Sequence, residues 1–212
     1  PQTLQSVLNQ SYQRLEVFLI DDGSSDRTLQ LIKEFAATHT KWSPTVIQQA
    51  NRGPAAARNA AARTATGDFL LHLDSDDEIA WDFIEQCLKM FEVDPSLDVV
   101  FTEAVFFGSK NKIWALSDVS IPALYCHNQL TVTSMVRSSS FHRVGGFDEQ
   151  LMGYEDWDLW ISLARSGARF KHLREPLFLY RHTAKSRNYQ ANLSDSAIKQ
   201  AIIAKHTDIY RE

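Results

Sequence analysis

The chain has 212 residues, 44% of them hydrophobic and 23% charged, which is the size and composition of one water-soluble globular domain. Its 22 basic and 26 acidic residues give a formal net charge of −4, which argues against a general nucleic-acid-binding protein. Two cysteines exclude a disulfide scaffold and a cysteine-rich zinc site, and no apolar run is long enough to span a bilayer.

In the first half of the chain, short apolar runs alternate with segments of helical periodicity. Strands are predicted over 17–20, 45–47, 69–73 and from Val99, and helices over 4–12, 29–36, 54–66 and 83–91. Strands that alternate with helices indicate an α/β layered fold built on a mostly parallel sheet.

The alternation is interrupted in the second half of the chain. Between residues 109 and 128 no periodic pattern is found, and we predict mainly loop. Further strands are predicted near 131–136, 169–173 and 177–180, and helices over 157–164, before Gly167, and in the tail over 198–209. With no repeat and no linker, we expect a single domain.

Carboxylates directly follow two of the predicted strands. Asp21 and Asp22 follow the strand over 17–20, and Asp74-Ser75-Asp76-Asp77 follows the strand over 69–73. Ligands of open α/β sheets bind at the carboxyl ends of strands, and residues two apart in extended chain project to the same side. Because divalent cations take carboxylate and phosphate oxygens, Asp74 and Asp76 resemble a metal–diphosphate clamp. Turn formation or helix capping is the alternative.

The turn Asp22-Gly23-Ser24-Ser25 offers backbone N–H groups, hydroxyls and a carboxylate. One of the two aspartates could accept a hydrogen bond from a bound base. Taken alone, these residues are better explained by a plain turn with a helix cap.

Acidic residues also open the predicted helix over 157–164. Glu155 and Asp156 stand at its start, and the helix dipole accounts for one acid at that place. A further carboxylate there could act as a general base on a substrate hydroxyl.

The segment 165–187 has seven basic residues and one acidic residue, which suits an anionic ligand. Within it, His182 is a candidate metal ligand or phosphate-binding residue, with an ordinary surface histidine as the alternative.

Taken in order, these blocks resemble the family 2 glycosyltransferases, which have the GT-A fold. The matching blocks are Ser6-Val7-Leu8-Asn9-Gln10-Ser11-Tyr12, Asp21-Asp22-Gly23-Ser24-Ser25-Asp26, Asn51-Arg52-Gly53, Ala57-Arg58-Asn59, Gly67-Asp68-Phe69, Leu73-Asp74-Ser75-Asp76-Asp77, Val144-Gly145-Gly146-Phe147-Asp148-Glu149, Glu155-Asp156-Trp157-Asp158-Leu159 and Tyr180-Arg181-His182. The resemblance implies a three-layer α/β/α sandwich with a mostly parallel mixed sheet. It also implies an inverting hexosyltransferase of polysaccharide biosynthesis.

The resemblance assigns roles to particular residues. It implies a UDP- or GDP-sugar donor with Mn²⁺ or Mg²⁺, and a saccharide or lipid-linked acceptor. Asp156, beside Glu155, would deprotonate the acceptor hydroxyl. The remaining roles are a nucleoside site at Asp21 and Asp22, a diphosphate site near Gly53 and Arg58, a metal-binding DxD at Asp74 and Asp76, and a further metal or diphosphate contact at His182.

Members of this family begin with a strand that is not found in this sequence, and its place would be in the interior of the sheet. We therefore expect one N-terminally truncated domain over 1–212, with a nucleotide-sugar half over 1–107, an acceptor and catalytic half over 108–192 and a C-terminal helix over 193–212. The expected location is cytoplasmic, with association with the inner face of the plasma membrane as a further possibility. A nucleotidyltransferase on a related fold and an inactive sugar- or nucleotide-binding fragment are the alternative functions.

Overall fold

A computed structural model describes residues 2–39, 42–109, 111–182 and 195–210. The strands are β1 (Phe18–Asp22), β2 (Thr45–Gln49), β3 (Phe69–Leu71), β4 (Glu78–Ile79), β5 (Val99–Gly108), β6 (Lys112–Trp114), β7 (Met135–Arg137) and β8 (Phe170–His182). The helices are α1 (Gln2–Leu8), α2 (Thr28–Thr38), α3 (Pro54–Thr64), α4 (Phe83–Val93), α5 (Ile121–Leu124), α6 (Ser138–Arg143), α7 (Glu155–Arg165) and α8 (Asp195–Lys205).

A six-stranded mixed sheet forms the centre of the fold, in the order β3-β7-β5-β8-β4, with β6 paired to β5. The longest pairing is parallel and joins β5 to β8, from Val99 opposite Phe170 to Gly108 opposite His182. Since β7 runs antiparallel to both β3 and β5, the strands β3, β5 and β8 all point the same way. Their carboxyl ends therefore meet at one edge of the sheet.

Two hydrophobic cores cover the two faces of this sheet. Side chains alternate along β5, so that Val99 and Phe101 enter one core while Val100 and Ala104 enter the other. The first core is closed by α3, α6, α7 and α8, and the second by α4. The fold is thus a layered α/β sandwich, as predicted.

A second, two-stranded sheet of β1 and β2 lies apart from the central sheet. In the part of the chain that the structure describes, no strand lies between β1 and β3. A largely apolar cavity of about 460 Å³ occupies this place, with Phe18 and Ile20 of β1 and Leu70 of β3 in its lining. The edges of β1 and β3 that face the cavity have no strand partner among the described residues.

The fold class is confirmed, with an adjustment to the sheet. Among the strand pairs described, β1–β2 and β5–β8 are parallel and the other four are antiparallel, so the sheet is less parallel than predicted. The antiparallel pairs arise where β4, β6 and β7 return along their neighbours. These strands have two or three residues, so that their apolar patterns are too short to predict strand direction.

Three predictions for the second half were wrong in detail. The segment 109–128, predicted as loop, holds β6 and α5. The strand expected over 131–136 covers only 135–137, because hydroxyl–carbonyl bonds such as Ser134 to Thr131 (2.7 Å) turn the chain before it. The strands expected at 169–173 and 177–180 are one strand, β8, which continues through a register shift near Pro176.

Candidate active site

The turn between β2 and α3 is held by the last residue of β1. The Asp22 carboxylate accepts hydrogen bonds from the backbone N–H groups of Arg52 and Gly53, both at 2.9 Å, and from Gln49 Nε2 at 2.8 Å. Gly53, at φ +87°, is the residue before α3, which begins at Pro54. The negative charge of Asp22 therefore lies at the positive end of the helix dipole of α3.

The side chains of Asp21 and Asp22 lie in different environments, because neighbouring strand residues point to opposite faces of the sheet. Asp21 is buried, and its Oδ1 accepts a 3.3 Å hydrogen bond from the backbone N–H of Ser24. Asp22 is half-buried and faces the loop before α3.

Arg58 of α3 is the centre of the candidate site. Its Nη2 is 2.6 Å from Asp74 Oδ1 and its Nη1 is 2.7 Å from Glu155 Oε1. The side chain is 12% exposed and lies over the ring of Phe147 at 5.5 Å. Burial alone would lower the pKa of Arg58, but the charges of the two carboxylates outweigh it and raise the pKa above its ordinary value.

The carboxylates after β3 occupy a tight turn with different degrees of exposure. Asp74 has a 43% exposed side chain and Asp76 is exposed, whereas Asp77 is buried. Asp77 Oδ1 accepts the backbone N–H of Arg181 at 2.7 Å, and burial raises the pKa of Asp77 to about 7. Asp77 therefore joins the acidic turn to β8, while Asp76 is exposed and Asp74 pairs with Arg58.

The first turn of α7 carries Glu155 and Asp156. Tyr154, just before the helix, has a left-handed backbone conformation (φ +55°), and its hydroxyl donates to Asp195 Oδ1 at 2.8 Å. Glu155 is buried against Arg58, and Asp156 is half-buried. Burial of its carboxyl raises the pKa of Asp156 to about 6, and the neighbouring charge of Glu155 adds to the rise.

His182 ends β8, at the same edge of the sheet as the carboxylates after β3. Its Nδ1 is 2.7 Å from Ser109 Oγ. The adjacent Arg181 donates its Nε to the Asp76 carbonyl at 2.7 Å, which joins the end of β8 to the acidic turn. Of the basic segment 165–187, Lys185 and Arg187 lie outside the described residues.

The structure brings most of the predicted site residues together around α3. Asp22 and Gly53 lie at the start of this helix, and Arg58 joins it to Asp74 and Glu155. Across residues 2–39, 42–109, 111–182 and 195–210, no group of three or more His, Cys, Asp or Glu side chains is close enough to hold a metal ion by itself.

Two residues of the site, Asn128 and Glu149, were not predicted from the sequence. Asn128 Nδ2 donates to Asp156 Oδ2 at 2.9 Å. Glu149 Oε1 accepts from Asn59 Nδ2 of α3 at 3.0 Å, and its other oxygen pairs with Arg52 at 2.7 Å. Glu149 belongs to a block that the resemblance included, so a signal for it existed, whereas Asn128 lies in a segment without a recognisable motif.

A layered α/β fold with carboxylates at the ends of its strands and an acidic helix start is the arrangement of the GT-A glycosyltransferases. The profile of the family described as Glycosyl transferase family 2 matches residues 1–147. The chain belongs to this family.

Among curated relatives, chondroitin synthase of Escherichia coli is 32% identical over 181 residues, which cover 81% of this chain and 25% of that protein. The chain thus spans about a quarter of that relative's length.

Solved structures show the same fold. S. aureus TarS 1–349 in complex with UDP matches with a TM-score of 0.73 and 22% identity, over 86% of this chain and 56% of that one. The mannosyltransferase PcManGT of Pyrobaculum calidifontis, in complex with GDP-Man and Mn²⁺, matches with a TM-score of 0.72 and 21% identity, over 97% of this chain and 59% of that one. No helix among the described residues is long and apolar enough to cross a membrane.

Proposed function

We propose that this chain transfers a sugar from a nucleoside-diphosphate sugar to an acceptor hydroxyl, with inversion at the anomeric carbon. The observation that carries this proposal is the double ion pair of Arg58, which holds Asp74 after β3 next to Glu155 of α7. Arg58 thus joins Asp74, the proposed metal ligand, to the start of the helix that carries Asp156, the proposed base, and this supports a single site.

The donor site is proposed along β1 and the start of α3. UDP in the complex with TarS and GDP-Man in the complex with the mannosyltransferase support a nucleotide-sugar donor. Asp22 and Asp21 would contact the nucleoside, and Gly53 and Arg58 would lie near the diphosphate. Because the Asp22 carboxylate already accepts the N–H groups of Arg52 and Gly53 at the start of α3, the charge of the diphosphate would be balanced by Arg58 and a divalent cation.

Asp74 and Asp76 would hold a divalent cation. Asp76 is exposed and Asp74 half-exposed in the turn after β3, and the ion pair of Arg58 with Asp74 uses Oδ1. Two carboxylates do not fill the coordination shell of Mg²⁺ or Mn²⁺, and such ions commonly complete it with substrate phosphates and water. When bound, the ion would neutralise negative charge on the diphosphate leaving group. His182, at the same edge, is a further proposed contact to the metal or the diphosphate.

Asp156 would act as the general base, with Glu155 and Arg58 fixing the start of its helix. With its pKa raised to about 6, the carboxylate is mostly ionised at neutral pH and a stronger base than an ordinary aspartate. It would take the proton of the acceptor hydroxyl as that oxygen bonds to the anomeric carbon and the bond to the diphosphate breaks. This displacement requires no covalent intermediate with the protein.

The acceptor is proposed to be a saccharide, in line with the similarity to chondroitin synthase. A lipid-linked acceptor is the alternative, and the cytoplasmic location remains a prediction.

The test combines a transfer assay with calorimetry. The assay measures nucleoside diphosphate and pyrophosphate released from UDP-glucose, UDP-N-acetylglucosamine and GDP-mannose with a chondroitin oligosaccharide or a lipid-linked saccharide as acceptor. Calorimetry measures the binding of UDP and GDP with and without Mn²⁺. Release of nucleoside diphosphate supports the proposal, release of pyrophosphate indicates a nucleotidyltransferase, and binding without turnover indicates an inactive binding domain.

The variant Asp156→Asn keeps the shape of the side chain but removes its basicity. We expect it to reduce transfer by about 10²- to 10⁴-fold while UDP or GDP binding is retained. Unchanged turnover would remove Asp156 from the role of base.

A further inference from the structure

We propose that Asn128 is a positioning residue that holds the Asp156 carboxylate in one orientation and stabilises its ionised form. The inference rests on the proposed function, because it takes Asp156 as the base. It assigns a role to the segment between β6 and β7, for which the sequence shows no motif.

The two ends of the Asn128 amide have different partners, and this fixes the orientation of the group. Its Oδ1 accepts the backbone N–H of Leu130 at 3.3 Å, and its Nδ2 donates to Asp156 Oδ2 at 2.9 Å. Only the carbonyl oxygen can accept and only the nitrogen can donate, so the amide cannot be reversed without losing both contacts. The donor of Asn128 is therefore committed to the carboxylate.

The loop that carries Asn128 is fastened on both sides. Leu124 and Leu130 are buried in the first core, and Trp157 Nε1 donates to the Leu124 carbonyl at 2.6 Å. Gln129 closes the loop on itself, because its amide bonds to the backbone N–H (2.9 Å) and carbonyl (3.0 Å) of Ser120. A side chain on such a braced loop can hold a partner in place with little loss of entropy.

The Asp156 carboxylate is held at both oxygens. Its Oδ1 accepts the backbone N–H of Trp157 at 2.8 Å, and its Oδ2 accepts from Asn128. Since a carboxylate oxygen has two acceptor positions, Oδ2 keeps one for the hydroxyl of the acceptor. The two hydrogen bonds thus restrict the rotation of the carboxylate but leave Oδ2 able to accept the hydroxyl of the acceptor.

Asn128 also offsets the groups that favour protonation of Asp156. Burial and the adjacent Glu155 raise the pKa of Asp156, whereas Arg58, the Trp157 N–H and Asn128 lower it. Tyr154, whose own pKa is raised by burial and in part by the charge of Asp156, is a further titratable group near the carboxyl. Because a hydrogen bond to the ionised form stabilises that form, loss of Asn128 shifts the balance toward the protonated acid.

The experiment measures the pKa of Asp156 directly and in the reaction. Carboxyl ¹³C NMR titrates the full chain labelled with [¹³C]aspartate, with the Asp156 signal assigned by its loss in Asp156→Asn. In parallel, the pH dependence of kcat is measured for sugar transfer. Asn128→Ala removes the donor, and Asn128→Asp places an isosteric carboxylate opposite Asp156. Gln129→Ala is the matched control, because it loosens the same loop without touching Asp156.

We expect Asn128→Ala to raise the pKa of Asp156 by about one unit and to lower kcat about tenfold, with the donor KM unchanged. Asn128→Asp raises the pKa further, since two like charges would face each other. Gln129→Ala leaves the pKa of Asp156 at the wild-type value.

Two results would overturn the inference: a pKa of Asp156 that stays unchanged in Asn128→Ala, or one that shifts equally in Asn128→Ala and Gln129→Ala. Either result leaves the proposed function standing as long as Asp156→Asn is inactive. Full activity of Asp156→Asn, in contrast, contradicts the proposed function itself.

Discussion

Arg58 and Glu155, which are 97 positions apart in the sequence, form a buried ion pair with 2.7 Å between Nη1 and Oε1. Both side chains are 12% exposed, so water screens the pair weakly. The other terminal nitrogen of Arg58 bonds to Asp74. The guanidinium of Arg58 therefore sets the distance between the turn after β3 and the start of α7.

Replacing Arg58 by alanine is expected to lower both stability and activity. Glu155 would remain buried without a partner, which costs about 3 kcal/mol of unfolding free energy, while the half-exposed Asp74 adds little. Without the bridge the two carboxylates repel each other, and we expect kcat to fall about 100-fold. Urea unfolding and the transfer assay measure the two effects.

Arg63 provides the matched control on the same helix. Its side chain is 57% exposed and its nearest carboxylate oxygen, on Glu149, is 3.4 Å away. Arg63→Ala should change the unfolding free energy by less than about 0.5 kcal/mol and leave kcat at the wild-type level. Equal losses in both variants would mean that the ion pairs of Arg58 are no more important than a surface contact.

The pH dependence of transfer should show the environment of Asp156. A base must be unprotonated, and burial raises the pKa of Asp156 to about 6, so the rate falls as the pH drops through this value. At pH 5 we expect roughly one-tenth of the plateau rate, with recovery on return to neutral pH. Since Glu155 and Arg58 interact with Asp156, the apparent pKa measured from the rate belongs to these three residues together. A limb near pH 4 would indicate an ordinary, solvated carboxylate instead.

Asp76→Ala tests the proposed metal clamp. We expect this variant to bind UDP or GDP roughly 10- to 100-fold more weakly in Mn²⁺ or Mg²⁺, because one of the two carboxylates for the ion is lost. In EDTA its affinity should equal that of the wild type. Ser75→Ala, at the exposed residue between the two aspartates, controls for a disturbed turn. A loss of the same size in EDTA would argue against a metal at this place.

The sequence predicted the fold where apolar runs and strand ends carry a strong signal. The runs at 17–20 and 69–73 located β1 and β3, although Asp22 is the last residue of β1 and Asp74 comes three residues after the end of β3. The helix start at Glu155 was found from its acids and apolar spacing. The short strands β4 and β6 were not predicted, because their pairing is decided by contacts with β8 and β5. The contact of Asn128 with Asp156 also depends on folding, since 28 residues separate them and no local pattern marks the loop.

A buried charge cluster fastens α8 to the helix that carries Asp156. Asp158 is 1% exposed in its side chain, and its oxygens lie 2.8 Å from His206 Nε2 and 2.7 Å from Lys205 Nζ. Asp158→Asn removes the negative charge of the cluster. Lys205, whose side chain is 39% exposed, can still be solvated by water, which limits the loss of stability. We expect a loss of about 2 to 3 kcal/mol in urea unfolding and faster proteolysis of α8.

Asp208→Asn is the control for this cluster, because Asp208 pairs with Arg165 at the surface and its side chain is 63% exposed. Its effect should be below about 0.5 kcal/mol. If both variants lost the same stability, burial of Asp158 would not be the cause.

The close approach of Gly23 to the loop before α3 gives the last prediction. Gly23 and Gly167 have nearly the same left-handed backbone, at φ +78° and +81°, but a Cβ on Gly23 would lie 2.7 Å from Asn51 N, whereas one on Gly167 would meet no atom within 4 Å. Alanine at either place costs about 1 kcal/mol for the conformation. The clash adds about 1 to 3 kcal/mol at Gly23 alone. Since Asn51 leads into the N–H groups bound by Asp22, Gly23→Ala should also weaken UDP or GDP binding, and Gly167→Ala should not. Calorimetry and urea unfolding of the two variants decide this, and equal values would show that the contact with Asn51 contributes nothing.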